Sequence, residues 1–111
     1  MNNASAPLPS LTVQQLQQLR TQPEPIVLLD VREPAECAIC AVPDAVHIPM
    51  RDIAARVDEL PRHRPIAVLC HHGVRSGLVT QFLLRHGFEA LNVTGGIDAW
   101  AAQVDPGMAR Y

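Results

Sequence analysis

Lysine is absent from this sequence: all nine basic side chains are arginine. Its absence excludes Schiff-base chemistry on a lysine amine and the lysine of a Walker phosphate-binding loop. No basic block of the kind that tracks a phosphate backbone is present either, and the formal charge is -2, so no nucleic-acid partner is expected. The stretch from Met1 to Ser10 carries neither positive charge nor an apolar run. It therefore reads as neither a secretory signal nor a membrane span, no membrane partner is expected, and the expected address is the cytoplasm. Cysteine is sparse. Cys37, Cys40 and Cys70 cannot all pair within one chain, and their spacing is not that of a secreted disulfide framework, which fits free thiols in a reducing compartment.

What is present suits one globular domain. The chain has 111 residues, 48% of them apolar and 18% charged, enough for a core and too little charge for disorder over most of the length. Residues 1–10, rich in Asn, Ala, Pro and Ser, are expected to form a flexible leader, and residues 11–111 the domain. Thr12 opens a capping box with Gln15, which predicts a short helix to about Arg20. Leu11 and Leu16 are spaced as its hydrophobic staple, with Val13, Leu16 and Leu19 on its apolar face.

After the proline-containing turn from Thr21 to Pro25, Ile26 to Leu29 is continuously apolar and ends at Asp30, the pattern of a strand covered on both faces. Ile66 to Leu69, ending at Cys70, and Ala90 to Val93 repeat it. Between these runs, Met50 to Leu60 carries Ile53, Val57 and Leu60 at helical spacing before Pro61. Ser76 to His86 carries Leu78, Val79, Phe82 and Leu83 before Gly87 at a C′ position. Strands alternating with helices predict an α/β domain whose parallel sheet of four or five strands has helices on both sides.

In such sheets ligands bind beyond the carboxyl ends of the strands, and Cys70 stands at one of those ends. The loop Cys70, His71, His72, Gly73, Val74, Arg75, Ser76 leads straight into a helix. It can turn successive backbone N–H groups inward as an anion-binding nest, with Gly73 supplying the freedom for the curl. A thiol above those amides, near a helix N-terminus and Arg75, is expected to have its thiolate favoured and to be a reactive nucleophile. The alternative is a small residue buried at a strand end.

This loop resembles the active-site loop of rhodanese-like sulfurtransferases, in which glycine stands three places after the cysteine and often arginine five places after it. Asp30-Val31-Arg32 with Glu36 is similar to the family's motif after the first core strand. Pro43, Ala45, Ile48 and Pro49 resemble its proline-alanine and isoleucine-proline segment. Gly95-Gly96-Ile97 with Trp100 resembles the signature of its last helix, and Val104-Asp105-Pro106 with Tyr111 the ending of short bacterial members. The resemblance implies a rhodanese-like three-layer domain without metal or organic cofactor, working in two steps. Cys70 attacks the outer sulfur of a donor such as thiosulfate, keeps it as a persulfide and releases sulfite. A thiol, cyanide or a protein acceptor then removes the sulfur. The inward amides of His71 through Ser76 would stabilise the charged terminal sulfur, with Arg75 adding charge-assisted bonds.

Loop length separates this chemistry from that of phosphatases and arsenate reductases, which place five residues between cysteine and arginine. Here four lie between Cys70 and Arg75, a smaller ring suited to one sulfur atom. A non-catalytic docking or redox-sensing module is the other alternative, and an intact cysteine, glycine and arginine loop argues against it.

Other residues read as support. Arg32 is either a substrate-side cation or a partner of Asp30 or Glu36, with the structural role preferred, and Asp30 is expected to fix the loop rather than act as a base. His71 and His72 could tune donor binding with pH. No metal site is expected, because neighbouring loop residues seldom converge on one ion and no histidine or acidic cluster is evident from spacing. Cys37 and Cys40 have the spacing of a redox pair, but the preferred reading is two space-filling residues. Asp44 stands where glycine is common in the family and is expected to alter the turn, and Trp100 is expected to anchor the last helix.

Overall fold

Val27 to Leu29 and Ile66 to Leu69 are runs with no polar side to offer to water, so they are stable as strands only at the centre of a sheet covered on both faces. The computed structural model, which describes residues 7–111, puts them there. Strands β1 (Ser10–Leu11), β2 (Val27–Asp30), β3 (Val46–His47), β4 (Ile66–Leu69) and β5 (Ala90–Val93) form one sheet in the order β1-β5-β4-β2-β3. Every pairing is parallel, with Leu28 opposite Ala67 and Ala67 opposite Leu91. The helices are α1 (Val13–Arg20), α2 (Pro34–Ile39), α3 (Ile53–Arg56), α4 (Val74–Arg85) and α5 (Gly96–Gln103).

Alternation along the central strands divides the interior in two. Leu29, Ile66 and Val68 face one way and pack with Ile53, Val79, Leu83 and Phe88, under α3 and α4. Leu28, Ala67 and Leu69 face the other way and pack with Val13, Leu16, Ile97 and Trp100, under α1 and α5. Helices thus cover both sides of the sheet, giving three layers. Trp100, 7% exposed, anchors α5 as expected.

Helix ends follow local chemistry. At α1 the Thr12 side chain accepts from the Gln15 N–H at 3.1 Å while the Gln15 side chain accepts from the Thr12 N–H at 2.8 Å, the reciprocal capping box read from the sequence. Gly87, at φ 85°, closes α4. There the Phe88 and Gly87 N–H groups donate to the carbonyls of Leu83 and Leu84, the Schellman arrangement.

Several boundaries differ from expectation. β2 begins at Val27, one residue late. α4 begins at Val74 rather than Ser76, because Gly73 at φ 110° turns the chain directly into the helix. Met50 to Leu60 is a 3₁₀ turn, one turn of α-helix and a second 3₁₀ turn; it keeps Ile53 and Leu60 buried without a regular helix. α2 has no apolar period to mark it in the sequence; Pro34 at its first turn and the reciprocal Glu33 and Glu36 bonds start it. Asp44 itself adopts φ 66°, the left-handed conformation that glycine and, less readily, Asp and Asn adopt.

Of the expected leader, residues 1–6 lie outside the described residues. The Pro9 carbonyl accepts from the Asn92 N–H at 2.8 Å, and Ser10 pairs with Asn92 at the sheet edge. No helix among the described residues is long and apolar enough to cross a membrane.

Candidate active site

β4 delivers Cys70 to the carboxyl end of the sheet, and α4 begins four residues later. Two features shape the loop between them. Gly73 is left-handed at φ 110°, a conformation that glycine adopts at no steric cost. Its N–H donates to Cys70 Sγ at 3.1 Å. On the other side, α5 presents its first N–H groups to the loop. Ile97 donates to the Cys70 carbonyl at 2.9 Å and Asp98 to the His71 carbonyl at 3.1 Å. Those carbonyl oxygens are thereby held toward α5. The approach is so close that a Cβ on Gly96 would stand 2.4 Å from the His71 oxygen and 2.5 Å from the Cys70 oxygen. Gly96 therefore has a packing reason: α5 can clamp the loop only where no side chain intervenes.

Cys70 is 1% exposed, and its sulfur also lies 3.2 Å from Ser76 Oγ. Among the described residues the sulfur takes one main-chain N–H, that of Gly73, rather than the full ring from His71 to Ser76 that the sequence suggested. Val74, Arg75 and Ser76 form the first turn of α4, whose N–H groups have no partner within the helix.

Arg75 does not reach the sulfur by hydrogen bond. Its guanidinium makes two parallel bonds to Glu36, at 2.6 and 2.8 Å, the bidentate geometry that suits carboxylates. The Arg75 bonds hold the Glu36 carboxyl far below the usual carboxylate range against a smaller opposing effect of burial. The same bonds push the Arg75 guanidinium further toward its charged form. Arg32 is fully buried and pairs with Asp30 at 2.7 Å. It also donates to the carbonyls of Cys40 and Glu36 and to the Tyr111 hydroxyl. Burial disfavours its charge, but the Asp30 and Tyr111 bonds outweigh that and raise its affinity for the proton. Arg32 and Asp30 thus tie down the strand-end loop, and Glu36 joins Arg75 rather than Arg32 by its carboxylate.

His71 lies between His72 and Tyr111, with ring centroids 3.9 Å from each. Its Nε2 is buried and makes no hydrogen bond to the described residues. His72 and Asp98 approach at 3.9 Å, while Arg110 holds the other Asp98 oxygen at 3.0 Å and lowers the Asp98 carboxyl. A ring nitrogen of each histidine and an Asp98 oxygen lie within 4.8 Å of one another. Spacing gave no sign of this gathering, because Asp98 comes from the α5 terminus docked on the loop.

Cys37 donates to Asp30 at 3.7 Å, and burial followed by the Asp30 charge pushes its thiol up to about 11. Cys40 Sγ lies 4.0 Å from an Arg32 nitrogen. Sequence reasoning also missed Asn92. It accepts from Ser76 Oγ at 2.6 Å and donates to the Gly73 carbonyl at 3.1 Å. A lone polar residue in a strand of mixed burial carries no sequence signal.

A parallel three-layer sheet that ends a central strand on a buried cysteine, and wraps it in a glycine-hinged loop at a helix start, defines a class: α/β domains with a sulfur centre at the sheet's carboxyl edge. A family model for the rhodanese-like domain matches residues 12–103, and the chain belongs to that family. It is 39% identical over 87 residues to a sulfurtransferase of Allochromatium vinosum, covering 78% of this chain and 81% of the relative. A rhodanese-like domain protein of Staphylococcus aureus superposes with a TM-score of 0.83 at 31% identity, over 94% of this chain and 99% of that one. A thiosulfate sulfurtransferase of Pseudomonas aeruginosa superposes with a TM-score of 0.79 at 27% identity, over 90% of this chain but 20% of that longer one.

Proposed function

We propose that this chain is a sulfurtransferase that carries sulfane sulfur as a persulfide on Cys70. The observation that carries the reading is the environment of one atom, since Cys70 Sγ receives the Gly73 N–H at 3.1 Å at the mouth of a helix. The name of the Allochromatium vinosum relative supports sulfur transfer, and that of the Pseudomonas aeruginosa neighbour supports thiosulfate as a donor.

In the first step the Cys70 thiolate attacks the outer sulfur of thiosulfate or of a persulfide donor. A sulfur–sulfur bond forms as the donor's breaks, and sulfite, or the donor thiolate, leaves with the electron pair. In the second step a thiol, cyanide or a protein acceptor attacks the terminal sulfur and restores the Cys70 thiolate. On this reading the first-turn N–H groups of Val74, Arg75 and Ser76, which have no partner within the helix, hold the charge of the terminal sulfur, being already oriented and therefore better than water at the task. Arg75, fixed by Glu36, contributes positive field at the site, and His71 and His72 line the donor side. Arg32 supports the loop from within.

Incubation with thiosulfate is expected to add one sulfur atom by intact mass, removable by a reductant and absent in Cys70→Ser. A wild-type protein that fails to load would overturn the proposal in favour of a docking module. Turnover of an aryl phosphate in place of loading would overturn it in favour of a phosphatase.

A further inference from the structure

Resting on the reading of Cys70 as the nucleophile, we propose that Asn92 is a positioning residue that controls this thiol by competing with it for the single proton of Ser76. Hydrogen-bond bookkeeping at three side chains leads there. Asn92 Nδ2 is 3.1 Å from the Gly73 carbonyl. A carbonyl only accepts, so the amide cannot be turned over without setting oxygen against oxygen. The Asn92 Oδ1 is thereby fixed facing Ser76 Oγ at 2.6 Å, and since it too only accepts, Ser76 donates its one proton to it.

Ser76 Oγ is also 3.2 Å from Cys70 Sγ, and only lone pairs remain for that contact. The arrangement suits a thiol, whose S–H donates to Ser76. It opposes a thiolate, which would face a lone pair at short range in a pocket where Cys70 is 1% and Ser76 0% exposed. When the thiol loses its proton to solvent, the Ser76 hydroxyl must turn toward the sulfur. There it becomes the second donor beside the Gly73 N–H. The turn leaves Asn92 Oδ1 without a partner, so every gain to the thiolate is a loss to Asn92.

The same hydroxyl distinguishes the loaded state. In a persulfide the inner sulfur is uncharged and the negative charge sits on the terminal sulfur. Ser76 can then return its proton to Asn92, leaving the terminal sulfur to the main-chain N–H groups of the loop. The Asn92 amide also ties the loop directly, through Gly73, so a test must separate an effect passed through Ser76 from a general loosening.

The experiment is the pH profile of Cys70 alkylation by iodoacetamide, followed by peptide-resolved mass so that Cys37 and Cys40 are read apart from Cys70, for the wild type, Asn92→Ala, Ser76→Ala and the double variant. Asn92→Ala is expected to displace the profile by about one unit to lower pH, roughly tenfold faster alkylation on its acid limb. In the Ser76→Ala background the same substitution is expected to produce no further displacement. Asn92→Leu, of similar volume and without an acceptor, is expected to behave as Asn92→Ala does and serves if the alanine variant does not fold. An unchanged profile overturns the inference, as does an equal displacement with Ser76 removed. Alkylation needs no sulfur donor, so its outcome is independent of loading. A displaced profile in a protein that never loads sulfur sinks the functional reading alone, and loading without displacement sinks this inference alone.

Discussion

Cys37 and Cys70 are both free thiols next to the end of a core strand, and what differs is the group that each sulfur meets. Cys70 receives a main-chain N–H at 3.1 Å, whereas Cys37 points at the Asp30 carboxylate from 3.7 Å. Burial and that negative charge push the Cys37 thiol up to about 11, so it is almost wholly protonated at neutral pH and is a poor nucleophile. That environment argues against reading the Cys-x-x-Cys spacing of Cys37 and Cys40 as a redox pair. Cys37→Ser and Cys40→Ser are expected to load sulfur from thiosulfate at the wild-type rate. In a peptide-resolved alkylation at pH 7.5, Cys37 is expected to react slowest of the three cysteines. Turnover to an added thiol acceptor that falls tenfold in Cys37→Ser while loading is unchanged would show that its thiol takes part in resolving the persulfide. The Cys70 loop was legible in the sequence because cysteine, hinge glycine and helix start are adjacent in the chain. The surroundings of Cys37 were not, because they depend on how Asp30 is turned by the buried Arg32.

At the scale of elements, legibility followed length and pattern. Three four-residue apolar strands and the capped α1 announce themselves, since burial on both faces and a capping box leave marks in the residue order. The two-residue strands β1 and β3 do not, because so short a run has no period. The union of α5 with the active-site loop was visible only as the pair Gly95-Gly96, and its physical content emerges from the distances. Gly96 at φ 62° lies under the Cys70 and His71 carbonyls. Gly96→Ala combines a left-handed alanine with a backbone overlap, and is expected to lower stability by roughly 2–5 kcal/mol. Because the loop must move to admit the methyl group, sulfur loading is expected to fall more than the lost folded fraction accounts for. Thermal melts set beside single-turnover loading of the folded protein would reveal it. Loading per folded molecule equal to wild type would mean that the clamp of α5 on the loop has no part in holding the sulfur.

Over the whole molecule, the site is locked by charges from segments far apart in the chain. Glu36 from α2 receives Arg75 of α4 and the Tyr111 hydroxyl, at 2.8 Å, and Tyr111 in turn accepts from the buried Arg32 at 3.1 Å. Burial is the leading influence on that phenol, pushing it up to about 12, so it is protonated at neutral and acid pH and remains a donor to Glu36 there. The carboxylate is the member that titrates. Arg75 holds the folded-state carboxyl far below its ordinary value of about 4.5. A depressed carboxyl stabilises the fold fully above the unfolded value, and that contribution disappears as pH falls through the window beneath it. At pH 7, Glu36→Gln is expected to lower stability by roughly 1–3 kcal/mol, since Arg75 keeps a neutral acceptor in place of a charged one. Between about pH 5 and pH 2 the wild type is expected to lose stability more steeply than Glu36→Gln, and the two melting curves to converge. Curves that run parallel through that acid range would mean that the pair contributes no net stability, and that Arg75 is held by packing rather than by its carboxylate.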